Sequence, residues 1–180
     1  LYNKGIIGKN STFESGDGPH QAKIDDSNKI WIKMKKPVYK SDWLNIHGFS
    51  GRYVNSGAKH FACKTDKLNF KVAENFGPKI RYDQKNFPKG VNVNFYKIQS
   101  LNQIHVITYE KGIEKVMLSC GSGAVAACYH ADQANKLNSP LKITTPGGEL
   151  NLKFNSNWND IWLGGPTNLL FESSLNIDDY

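Results

Sequence analysis

The sequence has few cysteines and no long apolar run. Cysteine occurs three times in 180 residues, at Cys63, Cys120 and Cys128. These are too few for a disulfide scaffold, and they lack the Cys-x-x-Cys spacing of a zinc knuckle. No segment approaches the roughly 20 apolar residues of a membrane helix, and residues 1–10 lack the apolar core of a secretory signal. We therefore expect reduced thiols in a soluble, cytoplasmic protein that has no membrane partner.

Arginine is scarce, although the chain is basic. The net charge is +7, yet 21 of the 23 basic side chains are lysine and only Arg52 and Arg81 are arginine. Lysine is spread over every segment, and its densest run is short, at residues 33–36. Proteins that read nucleic acids favour the bidentate fork of arginine. We therefore interpret the basic charge as a solvated surface and expect no nucleic-acid partner.

The sequence also lacks an initiating methionine. It begins at Leu1 and reaches Gly8 through residues typical of a helix end that is closed by glycine. We therefore expect this chain to be part of a longer sequence. Its 180 residues, 39% of them hydrophobic and 22% charged, suffice for one large or two small folded domains.

Short alternating or β-branched runs dominate the chain and predict strands. The predicted strands are residues 21–24, 29–34, 60–63, 92–98, 103–110, 141–145, 149–154, 160–163 and 168–171. Turn sequences rich in proline, glycine, asparagine and aspartate separate many of these runs. The pattern therefore indicates antiparallel hairpins over much of the chain.

Residues 122–136 form the segment with the clearest helical pattern. The segment is rich in alanine and ends before Pro140. Small residues occupy nearly all sides of its first turns, which favours a buried helix inside a sheet or barrel over an amphipathic surface helix. A second, shorter helix is expected over residues 66–73, with Thr65 as its N-cap.

Cys120 lies between a predicted strand and the glycine-rich start of the first helix. The positive end of the helix dipole and the unpaired N–H groups of the first turn favour a thiolate over a thiol. Gly121 and Gly123 lack side chains, so a carboxylate could approach the same N–H groups. The segment therefore predicts an acid/base thiol beside an anion site. A buried structural cysteine at a tight turn is the alternative.

Five motifs follow one another along the chain. They are residues 86–95, 108–112, 119–124, 145–150 and 161–166, with the sequences NFPKGVNVNF, TYEKG, SCGSGA, TPGGEL and IWLGGP. This ordered series resembles the motifs of diaminopimelate epimerases. The resemblance covers essentially the whole chain and corresponds to about the later two thirds of that family's usual sequence, after its first catalytic cysteine.

The resemblance implies a cofactor-independent epimerase of lysine and peptidoglycan precursor biosynthesis that converts LL- to meso-diaminopimelate. In such an enzyme one cysteine thiolate removes the α-proton, and a second cysteine on the opposite face returns one. Cys120 takes the position of one of these cysteines, with Glu110 and His60 as further catalytic residues. The substrate-binding positions fall on Asn92, Glu110, Lys111, Gly121 and Ser122, and the resemblance implies no metal or cofactor.

Three positions depart from the family's pattern. Lys111 replaces an arginine that binds the distal carboxylate of the substrate, and an ammonium lacks the bidentate fork. Ala58 and Lys59 replace an asparagine and a proline that precede the histidine. These changes concern the distal end of the substrate rather than proton transfer, so they leave open whether the substrate differs.

The two other cysteines are not expected to serve as the second acid/base. Cys128 follows Cys120 by eight residues, or about 12 Å along a helix axis. Cys63 follows His60 by three residues, so strand alternation places their side chains on opposite faces. We interpret both cysteines as structural. The histidines show no metal-ligand spacing.

The fold that the resemblance implies is α/β (α+β), a barrel of mixed or antiparallel strands around a central helix with part of a second, similar domain. Residues 37–166 would form the epimerase-like domain, residues 1–36 part of an N-terminal-type domain, and residues 167–180 a segment that returns to it. The chain alone is expected to be inactive and to need an N-terminal half or a second copy. A degenerate, non-catalytic amino-acid-binding or interaction module is the alternative.

Overall fold

The computed structural model describes residues 1–15 and 18–173. The strands within these residues are β1 (Asn10–Ser15), β2 (Gly18–Ile24), β3 (Ile30–Lys33), β4 (Val38–Tyr39), β5 (Leu44–Ile46), β6 (Phe49–Asn55), β7 (Lys59–Lys64), β8 (Asn92–Ser100), β9 (Gln103–Glu110), β10 (Lys115–Met117), β11 (Leu141–Thr145), β12 (Gly148–Phe154) and β13 (Ile161–Gly165). The α-helices are α1 (Phe70–Arg81) and α2 (Gly121–Asn135), and a short 3-10 helix covers Tyr2–Lys4.

The described strands join in one mixed sheet. Their spatial order is β1-β2-β3-β13-β12-β11-β9-β8-β7-β6-β4, with β10 paired to β9 and β5 paired to β6. The β7–β8 and β9–β11 ladders are parallel, and the other ladders of the described residues are antiparallel. The hairpins are therefore as predicted, and two long connections cross between parallel neighbours.

Helix α2 packs against the sheet at β6, β7, β8 and β9. Nine of its fifteen residues are buried, among them Ala124, Val125 and Ala127. These residues form one core with strand residues such as Ile143 and Leu152. Because alanine and glycine keep the helix narrow, strands can pack on several of its sides. The predicted buried helix is confirmed, with bounds one residue earlier than expected at each end.

Strand alternation gives the sheet two different faces. On β8, Val93 and Phe95 belong to the core on the α1 side, whereas Tyr96 belongs to the core around α2. On β9, Ile107 packs on the α1 side and Val106 on the α2 side. Polar side chains that share the phase of Tyr96 and Val106 therefore point towards α2.

The second helix differs from its prediction. It begins after Asn69, whose side chain accepts a hydrogen bond from the Val72 N–H at 2.9 Å. Thr65, the predicted cap, instead accepts from the Lys67 N–H at 3.3 Å in the preceding turn. The helix continues to Arg81 through Gly77 and Pro78, residues that usually end a helical pattern. The predicted range 66–73 was therefore wrong at both ends.

Several strands also differ from the sequence pattern. The strands β1, β4, β5, β6 and β10 were not predicted. The predicted strand at residues 168–171 is wrong, because these described residues form no regular element and Leu170 is 87% exposed. An apolar run without a neighbouring strand cannot form a ladder.

The division into residues 1–36, 37–166 and 167–180 stays a prediction. Its first boundary falls in the connection between β3 and β4, and β3 pairs with β13 in the continuous sheet. Residues 174–180 of the predicted return segment lie outside the described residues. None of the described helices is both long and apolar enough to span a membrane.

Candidate active site

The predicted site residues lie where three strands meet the N-terminus of α2. The parallel strands β7 and β8 begin at this edge, and the antiparallel strand β9 ends there. The ladder places Asn94 of β8 directly opposite Thr108 of β9. His60 lies near the start of β7, and Glu110 is the last residue of β9. This edge therefore brings together side chains that are up to 62 residues apart in the sequence.

Cys120 is the N-cap residue of α2, and its side chain is half-buried. Burial raises the pKa of its thiol above the ordinary value, and the Gly123 N–H lowers it. The Glu110 carboxylate raises this pKa again through its charge and as a hydrogen-bond acceptor for the thiol, whereas the Ser122 hydroxyl lowers it when it donates to the sulfur. The helix end therefore does not bring the pKa of Cys120 below its ordinary value, because burial and the neighbouring carboxylate outweigh the helix N–H groups, and the thiolate stays a prediction.

Ser122 lies between His60 and Cys120. The Ser122 hydroxyl is 3.0 Å from Nε2 of His60 and 3.8 Å from Sγ of Cys120. Nδ1 of His60 is 2.8 Å from Oδ1 of Asn94. Burial lowers the pKa of His60 to about 4, although the hydrogen bond to Asn94 raises it. The imidazole is therefore neutral near pH 7, and it reaches the thiol through a hydroxyl rather than directly.

Sequence reasoning missed three buried residues that support this network. Nδ2 of Asn94 donates to the Thr108 hydroxyl at 2.7 Å, and the Ser56 hydroxyl donates to the Ser122 carbonyl at 2.8 Å. All three side chains are almost completely shielded from solvent. The alternation in residues 91–95 was a usable signal for Asn94, because it places this polar side chain on the face opposite Val93. Thr108 and Ser56 carry no comparable signal.

Asn92 and Lys111 are adjacent, and their polar atoms are engaged with the backbone. Oδ1 of Asn92 accepts from the Lys111 N–H at 2.8 Å, and its Nδ2 donates to the Lys59 carbonyl at 3.1 Å. The Lys111 ammonium donates to the Lys89 carbonyl at 2.6 Å. Asn92 therefore ties the start of β7 to the end of β9. Its predicted role in binding substrate is not tested by these contacts.

The first turn of α2 offers backbone N–H groups that have no partner inside the helix. Gly121 and Ser122, the predicted carboxylate-binding positions, supply two of these groups. A Cβ atom on Gly123 would overlap the side-chain amide of Asn94, and one on Gly121 would lie 3.1 Å from Cδ2 of Leu163. The helix can approach β8 this closely because residue 123 is glycine.

An ion pair fixes the loop that follows Glu110. Nε and Nη2 of Arg81 donate to Oε1 of Glu114 at 3.2 and 3.0 Å, and the Gly112 N–H donates to the same oxygen at 2.9 Å. The Arg81 guanidinium lies directly against Gly90, so it also contacts the turn before β8. One of the two arginines therefore connects the two loops that carry Lys89 and Lys111.

The remaining cysteines are confirmed as buried. Cys63 and Cys128 have no solvent exposure, and burial raises the pKa of each thiol well above its ordinary value. Cys63 donates to the Asn94 carbonyl at 3.6 Å. Among residues 1–15 and 18–173, no group of three or more histidine, cysteine or acidic side chains could hold a metal ion.

Solved structures identify the class of fold. A probable proline racemase from Agrobacterium radiobacter superposes with a TM-score of 0.67 and 15% identity, over 98% of this chain and 64% of that one. A hydroxyproline epimerase from Agrobacterium vitis gives a TM-score of 0.59 and 14% identity, over 90% of this chain and 60% of that one. The predicted α+β fold, with mixed strands around a central helix, is thereby confirmed.

Sequence comparison then identifies the family. The chain belongs to the diaminopimelate epimerase family, whose model matches residues 52–169. The diaminopimelate epimerase of Methanocella arvoryzae is 33% identical over 88% of this chain and 60% of its own length. That of Flavobacterium psychrophilum is 34% identical over 94% of this chain and 66% of its own length. The chain thus spans 60 to 66% of the length of these relatives.

Proposed function

We propose that this chain is the C-terminal portion of a cofactor-independent diaminopimelate epimerase and supplies one of its two acid/base cysteines, Cys120. The observation that carries the proposal is the position of Cys120, at the N-terminus of α2 and within hydrogen-bonding reach of the Glu110 carboxylate. A thiol there faces both an acceptor for its proton and the free N–H groups of a helix end. Membership of the family supplies the substrate, LL- or meso-diaminopimelate.

The proposed reaction moves one proton on each face of the α-carbon. The Gly121 and Ser122 N–H groups hold the α-carboxylate. One cysteine thiolate takes the α-proton, so an S–H bond forms, the Cα–H bond breaks and the electron pair stays on carbon. The opposite thiol then donates its proton to that carbon and becomes the thiolate. Cys120, whose pKa is raised by burial, begins as the donor, and in the reverse direction its thiolate takes the α-proton.

The distal carboxylate of the substrate would be bound by Lys111. Its ammonium carries the required charge but makes single hydrogen bonds where the family's arginine makes a bidentate pair. One of its donors is already used by the Lys89 carbonyl. We therefore expect weaker binding of diaminopimelate than an arginine at this position would give.

The proposal requires a second chain portion that brings the other cysteine. Cys63 and Cys128 are fully buried and cannot reach the substrate. An apolar groove of about 790 Å³ lies at the end of the sheet that contains β1. It is lined partly by exposed side chains such as Leu1, Phe13 and Leu169. We propose that the N-terminal portion of the enzyme, or a second copy of the chain, covers this groove.

The test is inversion of diaminopimelate by the purified 180-residue chain. We expect no meso-diaminopimelate from the LL isomer, measured by chiral chromatography, because one face of the α-carbon has no acid/base. Addition of the separately expressed N-terminal portion of the Flavobacterium psychrophilum relative should restore inversion, which Cys120→Ala should abolish and Cys128→Ala should leave intact. Inversion by the chain alone that depends on Cys120 would contradict the two-cysteine account.

A non-catalytic amino-acid-binding module is the second candidate. Two observations favour it. The Lys111 ammonium is bonded to a backbone carbonyl, and the pKa of Cys120 is raised. Such a module would bind diaminopimelate in calorimetry but would give no Cys120-dependent exchange of the α-proton with D2O, with or without the N-terminal portion. Exchange that Cys120→Ala removes would exclude this candidate.

A further inference from the structure

The Ser122 hydroxyl has one proton and two possible acceptors. It lies 3.0 Å from Nε2 of His60 and 3.8 Å from Sγ of Cys120. If the proton points to the sulfur, it stabilises a Cys120 thiolate and lowers the pKa of the thiol. If it points to the imidazole, the sulfur loses this donor. The direction of this hydrogen bond therefore depends on whether Nε2 of His60 carries a proton.

Asn94 determines which nitrogen of His60 is protonated. Its Nδ2 donates to the Thr108 hydroxyl at 2.7 Å, which turns its Oδ1 towards the imidazole. Oδ1 is an acceptor only, and it lies 2.8 Å from Nδ1 of His60. Nδ1 must then carry the proton, and Nε2 is left as an acceptor. Asn94 and His60 have no solvent exposure, so water does not compete for these bonds.

The first turn of α2 leaves the Asn94 amide little room. The amide lies against Gly123, where a Cβ atom would overlap it. The carbonyl of Ser122 is held by the Ser56 hydroxyl at 2.8 Å, which fixes the turn that presents the Ser122 side chain. The distance from Ser122 to each of its two acceptors is therefore set by packing rather than by a mobile side chain.

We propose that Asn94 is a positioning residue that fixes the tautomer of His60 and thereby commits the Ser122 proton to His60 instead of to the Cys120 sulfur. The consequence is a Cys120 that keeps its own proton, which suits the donating half of the proposed epimerisation. This role of Cys120 in the epimerisation rests on the proposed function. The hydrogen-bond network itself is tested by thiol chemistry and requires no turnover.

The titratable groups that face Cys120 are Glu110 from β9 and, through Ser122, His60 from β7. Both remain unchanged in the test variants. In Asn94→Asp, a carboxylate replaces the amide and stabilises the imidazolium form of His60. Nε2 then becomes a donor to the Ser122 oxygen, and the Ser122 proton turns to the sulfur. The thiolate of Cys120 then accepts a hydrogen bond from Ser122 that it does not accept in the original chain.

The experiment compares the original chain with Asn94→Asp, Ser122→Ala and the double variant. Alkylation of Cys120 by iodoacetamide is followed from pH 6 to 10 by mass spectrometry of its peptide. We expect Cys120 to be alkylated about tenfold faster at pH 7 in Asn94→Asp, which corresponds to a thiol pKa that is lower by about one. Ser122→Ala should stay within about twofold of the original chain, and the double variant should lose the acceleration.

Three alkylation results would overturn the proposal. They are an unchanged rate in a folded Asn94→Asp variant, an acceleration that persists in the double variant, or slower alkylation in Ser122→Ala. The last would mean that the hydroxyl already donates to the sulfur. Cys63 and Cys128 report folding in the same samples, because they stay unmodified while the core is closed. If Asn94→Asp does not fold, the proposal is tested by the alkylation rate of Ser122→Ala and by the 15N chemical shifts of His60, which report its tautomer. A proton found on Nε2 of His60 in the original chain contradicts the proposal.

Discussion

At the scale of single residues, Gly123 sets how closely α2 approaches the sheet. The Asn94 amide occupies the space that a side chain at this position would need. The same amide bonds both His60 and Thr108, so its displacement would disturb two buried hydrogen bonds at once. Gly121, two residues earlier in the same turn, meets only the flexible end of Leu163, at 3.1 Å. The two glycines therefore provide a matched comparison.

Gly123→Ala is expected to lower the free energy of unfolding by about 1 to 3 kcal/mol, the range typical of overpacking in a core. Gly121→Ala is expected to change it by less than about 1 kcal/mol, because Leu163 can move and alanine favours helix. Urea denaturation followed by circular dichroism measures both. Equal losses in the two variants would show that the contact with Asn94 is not the cause.

At the scale of elements, the end of α1 holds the loop between β9 and β10 in place. Arg81 is the last residue of α1. Its guanidinium forms an ion pair with Glu114 and contacts Gly90. The Arg81 side chain is only 11% exposed. A hydrogen bond to a charged group that is largely shielded contributes more than an exposed pair does. This pair therefore stabilises the loop in which Lys111 follows Glu110.

Arg81→Gln is expected to lower the free energy of unfolding by about 2 kcal/mol, because it leaves the Glu114 carboxylate without its charged partner. Under the proposed function it should also weaken binding of diaminopimelate, since the Lys111 loop is less fixed. Lys79→Gln, in the same turn of α1 but exposed, is the control and should change stability by less than about 0.5 kcal/mol. A stability of Arg81→Gln equal to that of the control would contradict a structural role for the ion pair.

At the scale of the whole molecule, two neutral histidines are buried within residues 1–15 and 18–173. His60 contacts the first turn of α2, and His130 lies further along the same helix, with its Nδ1 3.0 Å from the Tyr39 hydroxyl. Burial lowers the pKa of both to about 4, and for His130 the charge of Arg52 lowers it further. In the unfolded chain each histidine takes up a proton near pH 6.5. The unfolded state therefore binds more protons between these two pH values.

The free energy of unfolding should consequently fall as the pH is lowered from about 6.5 towards 4. Above about pH 6.5 the contribution of the neutral histidines is fully present. Each histidine contributes on the order of 3 kcal/mol to this loss. Urea denaturation at pH 7, 6 and 5 measures the slope. His130→Gln should reduce the slope, whereas His47→Asn, at an exposed turn position, should leave it unchanged. A slope that is the same in all three proteins would contradict the assignment to buried histidines.

The sequence by itself determined the elements whose signals are local. The alanine-rich run predicted α2 because small residues allow burial on all sides. Alternation predicted β8 and β9 because it reports which face is covered. The local glycine-rich sequence placed Cys120 at the start of α2 for the same reason, since a helix end and its glycines are adjacent in the chain. Helix α1 was misjudged because Gly77 and Pro78 are local breakers that its packing against the sheet tolerates.

Only the tertiary structure decided the protonation of the site and its inner contacts. Ser122 separates His60 from Cys120, and Asn94 and Thr108 lie behind the imidazole. Alternation indicates the face on which Asn94 lies, but no local signal pairs Asn94 or Thr108 with His60. The predicted thiolate at Cys120 depends on the tertiary structure for the same physical reason. A pKa depends on burial and on charges that arrive from distant strands, and these are fixed only when β7, β8, β9 and α2 pack together.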